Sequence, residues 1–484
     1  MKPFQIILLP LAVLLFSVFP LTDTDIWWHL ACAREWVVTW TPVRPNIING
    51  HEYFQTVVGF VYGLGGAPLL VAFKALLWAS VFALFLWPLK NWRPAVAVSL
   101  VVVLFCLRYQ FEIRPAVFSM LFLGIYWNMM PRLFKWHGAR RIVAMLAVLL
   151  LQWVWCRFQG LYILGPVFAG VCVACRFAFA ERSRRALLWQ VSFVMALFAV
   201  PFLHGNGLAL FMYPFGLLDR LLGLSESAAV FASGIAENRS PFTVALAGEN
   251  VVSCFVAVMS AVGALVVAGY RLYRYFVRNL GDVAEQDAVS TVWLCITAVL
   301  ALVAERNIVL FLPVFCYAAF SLEGLPLCKS ACRVPCRAVL VAVLFAVLGL
   351  WCRSLVPYGT SMVSEQRVPV ATSEWMKSHP HAGRLFNDDR AGGYLAFVNP
   401  QDSTYLDGRF FLKTAEFFER YLHYSEDPSG FMRDMDSLGV DRAVFPLRYY
   451  ARWDAVVTAL STSEKWHRAY VDSGFVVLDR NYLR

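Results

Sequence analysis

Long apolar runs separated by short polar loops fill the first 356 residues of the chain. A transmembrane helix needs roughly 17–25 predominantly apolar residues to cross a bilayer, so this pattern predicts an α-helical polytopic membrane protein. The apolar runs predict about eleven crossings on that length criterion, at residues 4–21, 68–88, 94–108, 115–131, 141–156, 160–177, 186–203, 249–270, 288–304, 307–322 and 337–356.

The pattern changes after Pro357, where short strand-like runs alternate with segments of helical periodicity. Such alternation is typical of a small α/β domain. The predicted strands are 384–386, 404–406, 442–445 and 475–478, and the predicted helices are 413–424, 428–438 and 450–460. We therefore expect a transmembrane domain at 1–356 and an α/β domain at 357–484. Ala391-Gly-Gly-Tyr394 and Asp407-Gly-Arg409 are typical of turns.

Composition supports a membrane protein, because only 15% of the residues are charged and 60% are hydrophobic, whereas soluble domains are about 25% charged. The net charge of +10 comes from basic residues in alternate loops, which is the positive-inside pattern and needs no nucleic-acid partner. These loops lie at 90–93, 132–141, 176–185, 271–278 and 329–337. Cysteine is absent after Cys352, so no disulfide staples the C-terminal domain.

The loop 22–67 opens with an acidic pair, Asp23 and Asp25, directly after the first apolar run. Carboxylates beside a bilayer edge are costly unless they are paired or functional. One interpretation is that they end a helix and meet water, and the other is a catalytic pair facing an amphiphilic substrate. Trp27 and Trp28 suit the membrane interface, and residues 26–40 predict an interfacial amphipathic helix.

Three predicted helix pairs have very short outer turns that carry arginine, namely Arg108 with Arg114, then Arg157, then Arg306. Because every one of these turns faces the same side as the acidic pair, we expect the arginines to line a wet cavity. The alternative is that their long side chains reach to the lipid headgroups.

Several motifs carry a family resemblance. Asp23-Thr-Asp-Ile-Trp-Trp-His-Leu30 resembles the opening of a large bacterial family of polytopic membrane proteins, which is itself similar to the GT-C glycosyltransferases that use polyprenyl-phosphate sugars. Weaker similarities follow in the same order, at Arg114-Pro115, His204-Gly-Asn-Gly207, Glu237 with Ser240-Pro241, Arg306-Asn307, Gly393-Tyr394-Leu395, Asp407-Gly408-Arg409, and Trp466 with Asp472.

The sequence departs from that family at two elements. Trp155-Cys-Arg-Phe-Gln-Gly160 lacks the asparagine and histidine usual there, and the proline-rich element of the first loop is eroded at 42–49. The resemblance therefore implies a GT-C-like architecture more firmly than it implies activity.

The resemblance implies transfer of a sugar from a polyprenyl-phosphate-linked donor on the outer face of the cytoplasmic membrane. The acceptor would be an envelope glycan, a lipid or a protein. An inverting transfer needs a carboxylate base, for which Asp23 and Asp25 are the candidates, and the same pair suits Mg²⁺ or Mn²⁺. Arginine matches phosphate geometry. The candidate substrate-binding residues are His29, Glu52, Arg114, Arg157, His204, Glu237 and Arg306.

Two other classes of function fit the same features. A transporter or flippase of a lipid-linked saccharide would also place charged residues inside the membrane. A non-catalytic GT-C-like scaffold in envelope assembly would explain the missing motif residues.

The sorting of lysine and arginine predicts a cytoplasmic N-terminus and an extracytoplasmic domain at 357–484. A reporter enzyme fused to the C-terminus, of a kind active only outside the cytoplasm, should therefore be active. The reciprocal reporter, active only inside, should be silent. The opposite result would reverse the assigned orientation.

Overall fold

The computed structural model describes residues 3–34, 36, 39–45, 47–89, 92–180, 182–277, 285–320, 337–357, 360–448 and 451–481. The α-helices of the first part are α1 Pro3–Phe16, α2 Asp25–Arg34, α3 Glu52–Leu86, α4 Pro94–Cys106, α5 Pro115–Leu133, α6 Gly138–Trp155, α7 Leu164–Phe179, α8 Arg184–Ala199, α9 Gly207–Leu222, α10 Glu226–Gly234, α11 Pro241–Leu246, α12 Val251–Val277, α13 Glu285–Val303, α14 Ile308–Phe320 and α15 Arg337–Leu355. Short 3₁₀ turns lie at Arg108–Gln110, Gly160–Ile163, Val200–Leu203, Ala236–Asn238 and Glu305–Asn307.

A helix covers each of the eleven segments predicted to cross the membrane. Among the described residues, seven helices are long and apolar enough to span a bilayer, or eight if the bent pair α9 and α10 forms one span. The chain is therefore a multi-pass membrane protein, while the number eleven and the orientation stay predictions. The basic positions 90, 278 and 329–336 lie outside the described residues.

The helix α3 begins at Glu52, well before the predicted start at residue 68, so the outer loop is shorter than expected. Its backbone is non-helical at Gly65 and Gly66, and Gly66 has φ +63°. Pro68 lies two residues later and lacks the N–H that a continuous helix would need, which explains a break at this point. The turns of α3 before Gly65 therefore form a segment separate from the turns after Pro68.

The C-terminal domain contains a four-stranded sheet in the order β1-β2-β4-β3. β1 runs parallel to β2, and the other two pairs are antiparallel. The strands are β1 Arg384–Asn387, β2 Val440–Pro446, β3 Trp466–Val471 and β4 Phe475–Arg480, and the helices are α16 Val370–Ser378, α17 Asp389–Val398, α18 Ala415–His423, α19 Pro428–Ser437 and α20 Asp454–Thr462, with 3₁₀ turns at Phe410–Leu412 and Ala451–Trp453. The predicted α/β domain is thus present.

The predicted strand at 404–406 is wrong, and the strand β3 was missed. The main chain of this segment is bound by a side chain instead of a strand. The Asn387 amide donates to the Leu406 carbonyl at 2.6 Å and accepts from Tyr405 N at 2.8 Å. An amide side chain can mimic a neighbouring strand in this way, because it offers both a donor and an acceptor.

The first outer loop continues into the C-terminal domain. Trp40 Nε1 donates to the Leu385 carbonyl at 2.9 Å, and Thr41 Oγ1 donates to the Tyr405 carbonyl at 2.5 Å. Lys413 is buried, and its Nζ donates to the hydroxyls of Thr39 and Thr41 at 2.6 Å each. Residues near the start of the chain therefore complete the domain at its end.

The predicted turn at Ala391-Gly-Gly-Tyr394 is wrong, because both glycines lie inside α17. They are needed for close packing. A Cβ on Gly392 would lie 1.7 Å from the Leu406 carbonyl oxygen, and a Cβ on Gly393 would lie 3.1 Å from the Thr24 carbonyl oxygen. Only glycine lets α17 approach both of these backbones.

The helix α2 is a buried wedge rather than the interfacial helix predicted over 26–40. Trp27 is 1% exposed and its ring lies 4.7 Å from that of Tyr394, in an edge-to-face arrangement. Trp28 is also buried, since α2 lies between α3 and α17. The aromatic residues that suggested a lipid interface instead join the membrane helices to the outer domain.

We expect Gly392→Ala to destabilise the protein by about 3 kcal/mol, near the upper end for overpacking a core. The added methyl group has no space beside Leu406. Thermal unfolding in detergent and protease sensitivity of the outer domain measure the effect. Gly216→Ala is the matched control, because a Cβ there meets nothing within 4 Å. Equal stability of the two variants would contradict the packing role.

Candidate active site

One guanidinium organises the site. Arg114 Nε donates to Asp23 Oδ2 at 2.7 Å, and its Nη2 donates to Asp23 Oδ1 at 3.0 Å. The same guanidinium donates to the two oxygens of Glu237, at 2.6 Å each. Pro115 begins α5, and a residue before proline is restricted to extended backbone, which Arg114 adopts at φ −118° and ψ 157°. The start of α5 thus directs the arginine between two carboxylates.

Asp25 lies beside this ion pair but differs from Asp23 in environment. Asp23 is 5% exposed and its oxygens are bound to Arg114, whereas the side chain of Asp25 is only partly buried. Asp25 N donates to Asp23 Oδ1 at 3.2 Å. Burial, and then the negative charge of Asp23, raises the pKa of Asp25 to about 7. Asp25 can therefore exchange a proton near neutral pH.

Glu237 stays ionised at neutral pH. Burial alone would raise its pKa, but the charge and hydrogen bonds of Arg114, and then the charge of Arg306, lower the pKa to about 2. Arg306 Nη1 donates to Asn238 Oδ1 at 3.1 Å, and its side chain is exposed. The turn that carries Arg306 is therefore tied to the segment that carries Glu237. Asp23, Arg114 and Glu237 are therefore the charged neighbours of Asp25, and Arg306 lies next to Glu237.

A second layer of charges was not predicted. Glu112 Oε1 accepts a hydrogen bond from Thr22, and Glu112 Oε2 lies 4.0 Å from the buried Nζ of Lys74. Arg367 Nε donates to the Thr22 carbonyl at 3.4 Å. Lys74 lies within an apolar run, where a lysine is a recognisable signal of function, so this residue could have been identified from the sequence.

Three predicted site residues lie apart from this cluster. Arg157 Nη2 forms an ion pair with Glu52, whereas the sequence suggested that Arg157 would bind phosphate. His204 stacks on Trp153, with ring centroids 5.0 Å apart, and its Nε2 lies 3.2 Å from the Trp153 carbonyl. Nothing in these contacts joins Glu52, Arg157 or His204 to the acidic pair.

His29 is buried against aromatic rings. Its centroid lies 3.5 Å from that of Trp28 and 5.3 Å from that of His51, and its Nδ1 has no hydrogen-bond partner among the described residues. His51 Nε2 in turn lies 3.2 Å from Tyr213 Oη. Burial lowers the pKa of His29 well below its usual range, so the ring is neutral at pH 7. His51 and Tyr213 were not predicted from the sequence.

The arrangement of the acidic pair does not fit the predicted Mg²⁺ or Mn²⁺ site. Both oxygens of Asp23 accept hydrogen bonds from Arg114. Across the described ranges, no group of three His, Cys, Asp or Glu side chains is placed to hold a metal ion. The divalent cation therefore stays a prediction from the sequence, and the proposed reaction does not use it.

The element that lacks the family's asparagine and histidine forms an internal polar network. Ser119 Oγ donates to Gln159 Oε1 at 3.0 Å and accepts from Trp155 Nε1 at 2.9 Å. Gln159 therefore stabilises the contact between α5 and the turn after α6, and does not face the acidic pair.

Comparison with solved structures shows the fold. The chain is similar to the archaeal oligosaccharyltransferase AglB from Archaeoglobus fulgidus in complex with an inhibitory peptide and a dolichol-phosphate, with a TM-score of 0.53 and 12% identity over 92% of this chain and 69% of that one. The chain therefore has a GT-C-like, oligosaccharyltransferase-type fold with a C-terminal sheet domain.

Two further oligosaccharyltransferase structures from the same organism match less well. The complex with zinc and sulfate has a TM-score of 0.49 and 12% identity over 98% of this chain and 73% of that one. The apo form has a TM-score of 0.48 and 11% identity over 100% and 75% of the two chains. No protein-family model and no curated protein matches the sequence.

We expect Arg114→Ala to destabilise the protein by about 1–3 kcal/mol, because the buried carboxylate of Asp23 loses its charged partner. Adding Asp23→Asn should recover part of the loss, since the uncompensated charge is then gone. Chemical unfolding in mixed micelles measures both effects.

Arg157→Ala is the matched control for this comparison. Its partner Glu52 has a side chain 48% exposed, so breaking that pair should cost under about 1 kcal/mol. If Arg114→Ala cost no more than Arg157→Ala, the Arg114 cluster would not be a structural centre.

Proposed function

We propose that the chain is a membrane glycosyltransferase that moves a sugar from a polyprenyl-phosphate donor to a glycan, lipid or protein acceptor. The reaction would take place on the outer face of a bacterial cytoplasmic membrane. The observation that carries the proposal is that the two carboxylates of the acidic pair have different surroundings. Both oxygens of Asp23 are bound to Arg114, while Asp25 is a partly buried residue whose pKa is raised to about 7.

The fold is consistent with this assignment. The similar AglB structure contains a dolichol-phosphate and a peptide, which belong to that protein. A lipid-linked donor is therefore a chemistry that this type of fold accommodates. For the present chain the donor class rests on that likeness, on the motif Asp23-Thr-Asp25 and on the arginines beside it.

The proposed step is an inverting displacement. The acceptor oxygen attacks the anomeric carbon of the donor sugar and passes its proton to the Asp25 carboxylate. As the new glycosidic bond forms, the bond between the anomeric carbon and the phosphate oxygen breaks, and polyprenyl phosphate leaves with the electron pair. We assign neutralisation of the leaving phosphate to Arg306, which is exposed, because arginine binds phosphate through parallel hydrogen bonds.

Arg114 supplies a fixed positive charge at the centre of the site. It is held by Asp23 and Glu237, so it cannot move away when the substrate binds. Its charge compensates the two carboxylates that bind it, so neutralisation of the leaving phosphate is assigned to Arg306 and not to Arg114. We propose that this guanidinium provides the positive charge that the acidic pair alone would have required from a cation.

We expect Asp25→Asn to lower transfer by roughly 10²-fold or more, because a positioned base contributes at least that much. Expression and thermal stability should be unchanged. In the wild type the transfer rate should fall as the pH drops below about 7, since protonated Asp25 cannot accept a proton. A radiolabelled polyprenyl-phosphate sugar measures both.

Glu249→Gln is a suitable control, because Glu249 is an exposed outer carboxylate paired with Arg239 and should keep full activity. If the wild type keeps its activity in a chelator, the result would support the role given to Arg114. If the chelator removes the activity, the result would support the predicted cation. Full activity of the double variant Asp23→Asn/Asp25→Asn would overturn the proposal. Transbilayer movement without transfer would indicate a flippase, and neither activity would indicate a scaffold.

A further inference from the structure

A cavity of about 470 Å³ lies beside α2, on the side that holds the Glu52–Arg157 ion pair. Its size falls within the range of about 300–1,000 Å³ usual for small-molecule sites. The first outer loop, the start of α3 and the turn after α6 form its walls. The polar and aromatic lining residues include Trp36, Asn49, Glu52, Gln55, Thr56, Arg157 and Asn206.

One lining residue, Gln55, has a buried hydrogen-bond donor without a partner. Gln55 is 2% exposed, and its Oε1 accepts from Asn49 Nδ2 at 2.7 Å. Its Nε2 is buried and has no hydrogen-bond partner within the described part of the chain. A buried donor without a partner costs about 1–3 kcal/mol. A ligand oxygen in the cavity would remove this penalty.

The charge of the cavity selects against ionic ligands. Glu52 and Arg157 neutralise each other through their ion pair, so neither charge is left over for a phosphate or an ammonium group. The other polar groups are the hydroxyl of Thr56 and the amides of Asn49, Gln55 and Asn206, and each amide offers both donors and an acceptor. Such a set suits a neutral ligand rich in hydroxyl groups.

Trp36 adds an aromatic surface at the edge of the cavity. It is 37% exposed. The guanidinium of Arg409 lies 4.9 Å from the centre of its ring, so one part of the indole is held while the rest stays accessible. Flat aromatic rings present a face on which the C–H face of a sugar ring can pack.

From this cavity we infer a binding site for a neutral saccharide unit, separate from the Arg114 cluster. α2 connects the two, because Asp25 begins that helix and Ala33, near its end, lines the cavity. Eight residues along a helix correspond to roughly 12 Å. A saccharide chain bound here would extend toward Asp25, so the occupant is assigned as part of the acceptor glycan. That last assignment rests on the proposed function, whereas saccharide binding itself does not.

The test uses the full-length protein in lipid nanodiscs and an array of immobilised disaccharides. The array carries neutral hexoses, deoxyhexoses and N-acetylhexosamines, together with uronic acids and phosphorylated sugars as charged probes. We expect binding to at least one neutral saccharide and weaker binding to the charged ones. Trp36→Ala and Gln55→Met should each raise the Kd by about tenfold or more, as expected for loss of an aromatic anchor or of a buried hydrogen bond.

Two controls make the result decisive. Trp87→Ala removes a tryptophan that is 67% exposed and lies outside the cavity, and it should leave the Kd unchanged. Gln55→Met should unfold close to the wild type, because the unsatisfied buried donor is removed together with the hydrogen bond from Asn49. If the role of Gln55 were purely structural, Gln55→Met would unfold clearly earlier than the wild type and would bind saccharides equally well.

Asp25→Asn separates this inference from the proposed reaction, since it should abolish transfer and preserve saccharide binding. If the wild type bound saccharides but transferred no sugar, the inferred binding site would stand and the proposed enzymatic activity would be rejected. Transfer without any effect of Trp36→Ala and Gln55→Met on binding would keep the enzyme and reject the site. Failure of the wild type to bind every saccharide on the array would also overturn the inference.

Discussion

The forked ion pair of Arg114 is the constraint on which the arrangement of the acidic pair depends. One guanidinium binds carboxylates that lie 91 and 123 residues away along the chain. It thereby fixes the first outer loop, the start of α5 and the segment before α11 relative to one another. Charged hydrogen bonds with two-point geometry define orientation as well as distance, so the position of Asp25 follows from this interaction.

The same constraint separates two carboxylates that look equivalent in the sequence. Asp23 is used to hold the arginine, and its negative charge helps to keep the neighbouring Asp25 partly protonated near neutral pH. Proteins commonly assign different chemical roles to two titratable groups by giving them surroundings that make their pKa values differ. Gly408 of the outer domain closes this site, since a Cβ there would lie 3.1 Å from Asp25 Oδ1.

The sequence predicted the helices, the sheet domain and the charged residues of the site, because these follow from local hydropathy and from charges at bilayer edges. Asp25 and Glu237 could be found in this way. The partner of Arg157 could not, since an ion pair depends on which segments meet in space. Gly392 was misread as a turn for the same reason, because only the distant Leu406 backbone explains why a glycine is required inside that helix. Roles within the site remain predictions for experiment.

The threading of the first loop into the last domain has a consequence for biosynthesis. Thr41 and Tyr405, which share a hydrogen bond, are 364 residues apart. At translation rates of about 5–20 residues per second, the early segment waits roughly 20–70 s for its partner. During that time the hydroxyls that will hold Lys413, and the tryptophans of α2, have no native contacts in the outer domain. The newly made first loop is therefore exposed without its native partners until the last strand has been made.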